Sequence, residues 1–262
     1  MIKIIFLVLI PALLIAQIKP LDIQNYADCN DRLQLEVRRT IGPTNNPVGY
    51  GNYLEFEGNQ LGDTLFMQKE SHSVWYEFRP KAKGDLLIEI EPIDSLDDYD
   101  FSIYEYTDSN FCKDVYSKKI KPVRTNFSRN IIALKGKTGL SMQASNAWVA
   151  AGVQAAYSKS LTVQKEKSYI LFLNNVYDHG SGHYLHFDYA IQLKLQGNVK
   201  EFGSQQTVQA NISLTDTQTG EVLAESISDS LTGDYQLDFD YTKSRLNNSL
   251  QLEVFKDGYV FK

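Results

Sequence analysis

The chain has 262 residues, a formal net charge of −6, 43% hydrophobic and 12% aromatic residues, 16 Gly, 7 Pro and 2 Cys. Those proportions exclude a disordered chain, a collagen and a disulfide-rich miniprotein. The acidic balance argues against nucleic acid as a partner, because phosphate binding needs clustered positive charge.

Residues 1–16 read as a secretory signal: Lys3 is followed by an apolar run from Ile4 to Ala16. The run is shorter than the roughly 20 residues a spanning helix needs, and Pro11 weakens it further. Cleavage after Ala16 would leave Gln17 first. No Cys follows to carry a lipid, so membrane association is expected only through partners. Export gives the two cysteines, Cys29 and Cys112, two readings. They are either an intramolecular disulfide, as an oxidising compartment favours, or two buried thiols.

Strand signals dominate the mature chain. Val74-Trp75-Tyr76-Glu77-Phe78 is short, aromatic and β-prone. Leu86–Ile93 places Ile88 and Ile90 on one alternation and Leu87, Glu89 and Glu91 on the other. Phe101–Tyr106, Ser160–Gln164, Tyr169–Leu173 and Tyr184–Leu195 continue the pattern, separated by Gly/Asp-rich turns. Residues 17–197 therefore predict an antiparallel jelly-roll β-sandwich. Helical periodicity is weak; Ala144–Ala156 is either a short helix or an apolar loop packed on the sandwich.

Three stretches invite chemistry. Asp94, Asp97, Asp98 and Asp100 form an acidic loop that could supply oxygens to calcium, although the EF-hand spacing is missing and a solvated turn is the simpler expectation. Lys118, Lys119, Lys121, Arg124 and Arg129 lie in a basic segment that could face an anionic envelope polymer or be a long solvated loop. His179, His183 and His186 accompany Asp178 and Asp188, but strand alternation points His183 and His186 to opposite faces, against a shared metal. Gly136-Lys137-Thr138 lacks the first glycine of a phosphate loop, because position 131 is Ile131. No G-x-S-x-G or H-E-x-x-H pattern occurs, and no resident cofactor is expected beyond the calcium just weighed.

From Asn198 a second unit begins. Val208–Leu214, Leu223–Ile227, Tyr235–Phe239 and Leu250–Phe255 read as strands, with Asp257-Gly258 as a turn before Tyr259-Val260-Phe261. Residues 198–262 are short for an immunoglobulin-like sandwich, which usually needs roughly 100 residues. A minimal transthyretin-like sandwich or an incomplete one fits.

Several stretches together carry a resemblance: Ser73-Val74-Trp75-Tyr76, Asp97-Asp98-Tyr99-Asp100-Phe101, Asn110-Phe111-Cys112-Lys113, Lys121-Pro122-Val123-Arg124 and Gly136-Lys137-Thr138-Gly139-Leu140. With these the chain resembles the N-terminal region of Bacteroidota cell-envelope proteins of the outer membrane protein A family. Asp98–Tyr104 is similar to the D-x-D-aromatic strand of pre-peptidase-type jelly rolls. Ile212, Thr219-Gly220-Glu221, Gly233-Asp234-Tyr235 and Lys256-Asp257-Gly258-Tyr259 look like a carboxypeptidase-regulatory-like sandwich. Such proteins continue into a peptidoglycan-binding α/β domain, for which the residues up to Lys262 offer no candidate. The chain is therefore expected to be the front end of a longer envelope protein, and peptidoglycan anchoring is not carried over. The resemblance implies a non-catalytic exported protein of the periplasm, outer-membrane surface or extracellular space, recognising an envelope protein or a surface glycan. The alternative is an accessory domain or enzyme of a secreted hydrolase using the His179–His186 region.

Overall fold

The computed structural model describes residues 19–60, 62–242 and 248–259. The signal read in residues 1–16 and the last strand residues Val260-Phe261 lie outside them. In chain order the strands are β1 (Leu33–Leu35), β2 (Thr40–Ile41), β3 (His72–Phe78), β4 (Gly84–Pro92), β5 (Tyr99–Glu105), β6 (Arg124–Asn126), β7 (Thr138–Ser141) and β8 (Trp148–Val149). They continue as β9 (Tyr157–Lys159), β10 (Leu161–Val163), β11 (Tyr169–Asn175), β12 (His183–Asn198), β13 (Asn211–Asp216), β14 (Val222–Ile227), β15 (Asp234–Thr242) and β16 (Leu250–Phe255). The one α-helix among the described residues, α1, spans Phe111–Tyr116. The fold is all-β, a sandwich.

Sheet one runs β1-β3-β11-β5-β6-β8 and sheet two β15-β12-β4-β7-β9, with β10 on β4 and β2 on β12. Three edge pairings, β1 with β3, β6 with β8 and β7 with β9, are parallel, so the sandwich is mixed rather than purely antiparallel. The sheets face each other over a core of Val74, Tyr76, Phe78, Ile88, Ile90, Phe101, Ile103, Leu171, Leu173, Leu185 and Phe187. Period-2 alternation delivers one side chain in two from each strand to that layer.

Sheet one is buried on its other face as well. There Trp75, Tyr104, Ile170 and Phe172 pack against Phe56, Met67, Phe111, Val115 and both cysteines. The cover comes from the segment that carries Phe56 and Met67 and from the α1 segment. This double burial explains why β11 reads as an unbroken apolar run at its start: all seven of its residues are buried,. Cys29 and Cys112 are bonded, with Cα atoms 5.7 Å apart. The bridge fastens the turn at Cys29–Asp31 to α1 across this outer layer, and a bridge of this kind suits an oxidising compartment. No helix among the described residues is long and apolar enough to cross a membrane.

Ala144–Ala156 forms no helix; it holds β8 and an irregular stretch. The basic segment is more structured than a solvated loop: it carries α1 and β6, and Val115 and Phe127 are buried.

β12 is continuous through the expected boundary at 197/198. Its first half pairs with β4 as far as Ala190, and its second half pairs with β15 from Ala190 to Asn198. Ile191, Leu193 and Leu195 therefore pack against a second core of Val208, Ala210, Ile212, Leu214, Leu237, Phe239 and Tyr241. A three-stranded sheet, β14-β13-β16, closes one side of that core.

Gly139 shows how tightly β7 lies on β4. Its φ is +144°, and a side-chain carbon there would stand 1.9 Å from the Ile88 carbonyl oxygen. Only glycine tolerates both conditions. Gly139→Ala is expected to cost about 3 kcal/mol, read as a lower urea midpoint at unchanged slope.

Candidate functional site

The outward alternation of β4 builds one polar cluster. Glu89 and Glu91 share a face with His186 of β12, which lies opposite Glu89 in the ladder. The ligand atoms of these three residues all lie within 4.8 Å of one another. Lys137 already holds the two carboxylates: its Nζ is 2.8 Å from Glu89 and 3.2 Å from Glu91. Burial works against the Lys137 ammonium, but the two glutamates outweigh it and its pKa is raised,. His186 Nε2 is 2.9 Å from Glu91 Oε2, and its Nδ1 is 3.0 Å from Thr40 Oγ1. The Tyr157 hydroxyl donates to Glu89 at 3.1 Å. Beside the cluster lies a groove of about 510 Å³ lined by Ser141, Gln143, Tyr157, Asp188 and Glu221. A lysine pinned between the acids fills the role a divalent ion would have there.

The three histidines are not brought together. His179 is exposed in the loop beside Asp178. His183 is wholly buried, its ring within 3.0 Å of the Tyr76 hydroxyl and 3.3 Å of those of Tyr99 and Thr44. Burial pushes its pKa down to about 3, so it is neutral across the ordinary range,. Only His186 reaches the polar face.

The acidic loop is divided too. Asp94 Oδ1 accepts the Leu96 N–H at 2.9 Å, closing a turn. Asp98, buried, accepts the Asn130 N–H at 2.8 Å. Asp100 is on β5 opposite Asn174 and lines a separate cavity of about 210 Å³ under Phe66 and Met67. Burial, then Asp98, raises its carboxyl well above the usual range. Asp97 turns inward with a different set of neighbours.

The basic residues are engaged separately. Lys118 donates to Asn59 and lies over the Phe66 ring, and Lys119 pairs with Asp114 at 3.6 Å. The Arg124 guanidinium donates to the carbonyls of Val123, Lys159 and Ser160, which commits it to joining β6 to the β9–β10 corner. Lys121 and Arg129 are exposed.

Two features give weaker sequence signals. Glu55 and Glu70 lie in the strap over sheet one, 8% and 1% exposed. Glu55 Oε1 accepts the Cys29 N–H at 2.8 Å, and Glu70 Oε2 accepts the Glu55 N–H at 2.9 Å. Burial, then Glu70, pushes Glu55 up to about 8; burial, offset partly by hydrogen bonds, pushes Glu70 up to about 7.

The second feature is the three-stranded sheet. On its outer face Ile227, Asn211 and Phe255 form one cross-strand row, and Glu225, Ser213 and Glu253 form the next. Ile227 and Phe255 are 60% and 61% exposed. On the inner face Leu250 and Leu252 of the outermost strand, β16, remain 39% exposed. Among the described residues the second core is thus open along that edge.

No family model, no curated protein and no solved structure matches this chain.

Proposed function

We propose that the protein is a non-catalytic exported protein of the cell envelope or extracellular space that binds a protein partner through the β14-β13-β16 sheet. The observation that carries this reading is the row of Ile227 and Phe255, apolar and open, next to Glu225 and Glu253. Isolated exposed hydrophobes are ordinary, but two on one cross-strand row, on either side of Asn211 and beside a half-covered core edge, suit an interface,. Phe255 is the kind of aromatic anchor on which binding energy concentrates. The two glutamates favour a partner segment that joins apolar side chains with Lys or Arg. Among the described residues no strand pairs with the outer edge of β16, which suits an added strand, a recurrent mode of peptide capture,. The disulfide, the secretory reading of residues 1–16 and the resemblance to Bacteroidota envelope proteins support a periplasmic or outer-membrane surface location.

The purified full chain, immobilised and exposed to a detergent extract of the cell envelope, tests this. Wild type is expected to retain a saturable partner, and Ile227→Ser/Phe255→Ser to retain it at least about 10-fold more weakly with unchanged thermal stability. Equal retention by both proteins would sink the proposal.

A further inference from the structure

Asp97 occupies the turn between β4 and β5 and is wholly buried. Its N–H donates to the Asp94 carbonyl at 3.0 Å. One carboxylate oxygen, Oδ2, accepts the Ser181 N–H at 3.1 Å. The other, Oδ1, is buried and has no hydrogen-bond partner. Among the described residues no lysine, arginine or histidine pairs with it.

Two other loops bring amides to the same place. Asn46 Oδ1 is buried without a partner, and so is the Nδ2 of Asn175, a residue with no exposed surface. Gly180 measures the convergence. A side-chain carbon there would stand 2.1 Å from Asn175 Nδ2, 2.6 Å from Asn46 Oδ1 and 2.9 Å from Asp97 Oδ2. Any other residue at 180 would fill the space these groups share.

Leaving a carboxylate buried without a counter-charge costs several kcal/mol, and an unsatisfied amide oxygen adds about 1–3 kcal/mol. A water molecule could complete the hydrogen bonds but would leave the charge uncompensated. A hard cation answers both needs, because carboxylate and amide oxygens are the donors calcium selects. Asn175 Oδ1 already accepts the Tyr177 N–H at 3.2 Å, so this amide faces the junction with its N–H₂ and is not a ligand for the ion,.

We propose that this junction of three loops is a calcium site, with Asp97 and Asn46 as oxygen ligands and Asn175 beside them. The ion would tie the β4–β5 turn to the loop around Asn46 at one end of the sandwich. It stands apart from the partner-binding reading and uses a different part of the molecule. Of the four aspartates in the acidic loop, it takes only Asp97.

The test is thermal unfolding of the full chain after chelator treatment and dialysis. Calcium at about 10 mM is expected to raise the midpoint by roughly 5 °C, as for an extracellular module of submillimolar to millimolar affinity. Magnesium at the same concentration should give less. Asp97→Asn, which keeps the shape and removes the charge, is expected to abolish the rise, while Asp94→Asn keeps it. Should Asp97→Asn fail to fold, Asn46→Ala at a partly exposed position provides the same reading. A wild-type midpoint indifferent to calcium would overturn the site. So would a rise that persists undiminished in Asp97→Asn or Asn46→Ala.

Discussion

Raising the pH from about 5 to about 8.5 is expected to cost the protein at least ~3 kcal/mol of unfolding free energy, read from urea midpoints. Glu55 and Glu70 cause it. Both are nearly inaccessible, and both have a second carboxylate oxygen without a hydrogen-bond partner. Their folded-state pKa values, about 8 and about 7, lie above the unfolded value of 4.5. A raised folded value means that the native state holds the proton more tightly. The stability this provides is fully present below pH 4.5 and is lost as the pH rises through 7 and 8. Asp98 and Asp100, raised by burial, act in the same direction. His183 acts on the opposite limb. Its folded value is depressed, so its contribution is present above pH 6.5 and is lost as the pH falls toward 3. The stability maximum should therefore fall near pH 5. Glu70→Gln retains an oxygen for the Glu55 and Phe56 N–H groups and removes the titration. It is expected to flatten the alkaline limb, and an unchanged limb in Glu70→Gln and Glu55→Gln alike would refute the assignment.

The second large effect is that of the disulfide. It closes a loop with a sequence separation of 83 residues. In the chain-entropy model such a closure is worth about 4–5 kcal/mol. Cys29 is wholly buried and Cys112 nearly so, against Phe56, Trp75, Phe111 and Val115. Reduction should therefore also loosen the strap that buries Glu55 and the outer face of sheet one. The variant Cys29→Ala/Cys112→Ala is expected to unfold roughly 10–15 °C lower than the oxidised protein. An unchanged midpoint in that variant would show that the outer layer holds without the bridge.

Much of this architecture is legible in the residues. Every long strand announces itself by alternation or by an apolar run: β3 through Val74–Phe78, β4 through Ile88 and Ile90, β11 through Tyr169–Leu173. The second unit does so through Ile212 and Leu214. The short strands β1, β2 and β6 to β9 give no such signal, because two to four residues are too few for a period to show,. The continuity of β12 is hidden for another reason. Leu193 and Leu195 look like the end of the first sandwich, yet they serve the second, and alternation does not reveal which core a strand faces. The strap that carries Phe56 and Met67 has turn residues and no periodicity, so neither its burial nor that of Glu55 and Glu70 can be read from it.

Site chemistry is less legible than fold. The acidic loop is visible as a run of aspartates, but only the structure separates Asp97 from Asp94, Asp98 and Asp100. Asn46 and Asn175 carry no signal at all, since asparagine in a turn is ordinary. The pairing of Glu89 and Glu91 on one face follows from alternation alone; that Lys137 arrives from β7's approach to neutralise them does not. Ile227 and Phe255 lie in different strands of the sequence. They become one row only when β14 and β16 flank Asn211 of β13.

The row of Ile227 and Phe255 can be tested directly in the cell. A photoreactive phenylalanine analogue placed at position 255 in one strain and at position 148 in another, with irradiation of intact cells, compares the proposed interface with an exposed aromatic of the first sandwich. One discrete protein adduct is expected from position 255 and none from position 148. Adducts from position 148 with none from position 255 would contradict the proposed interface.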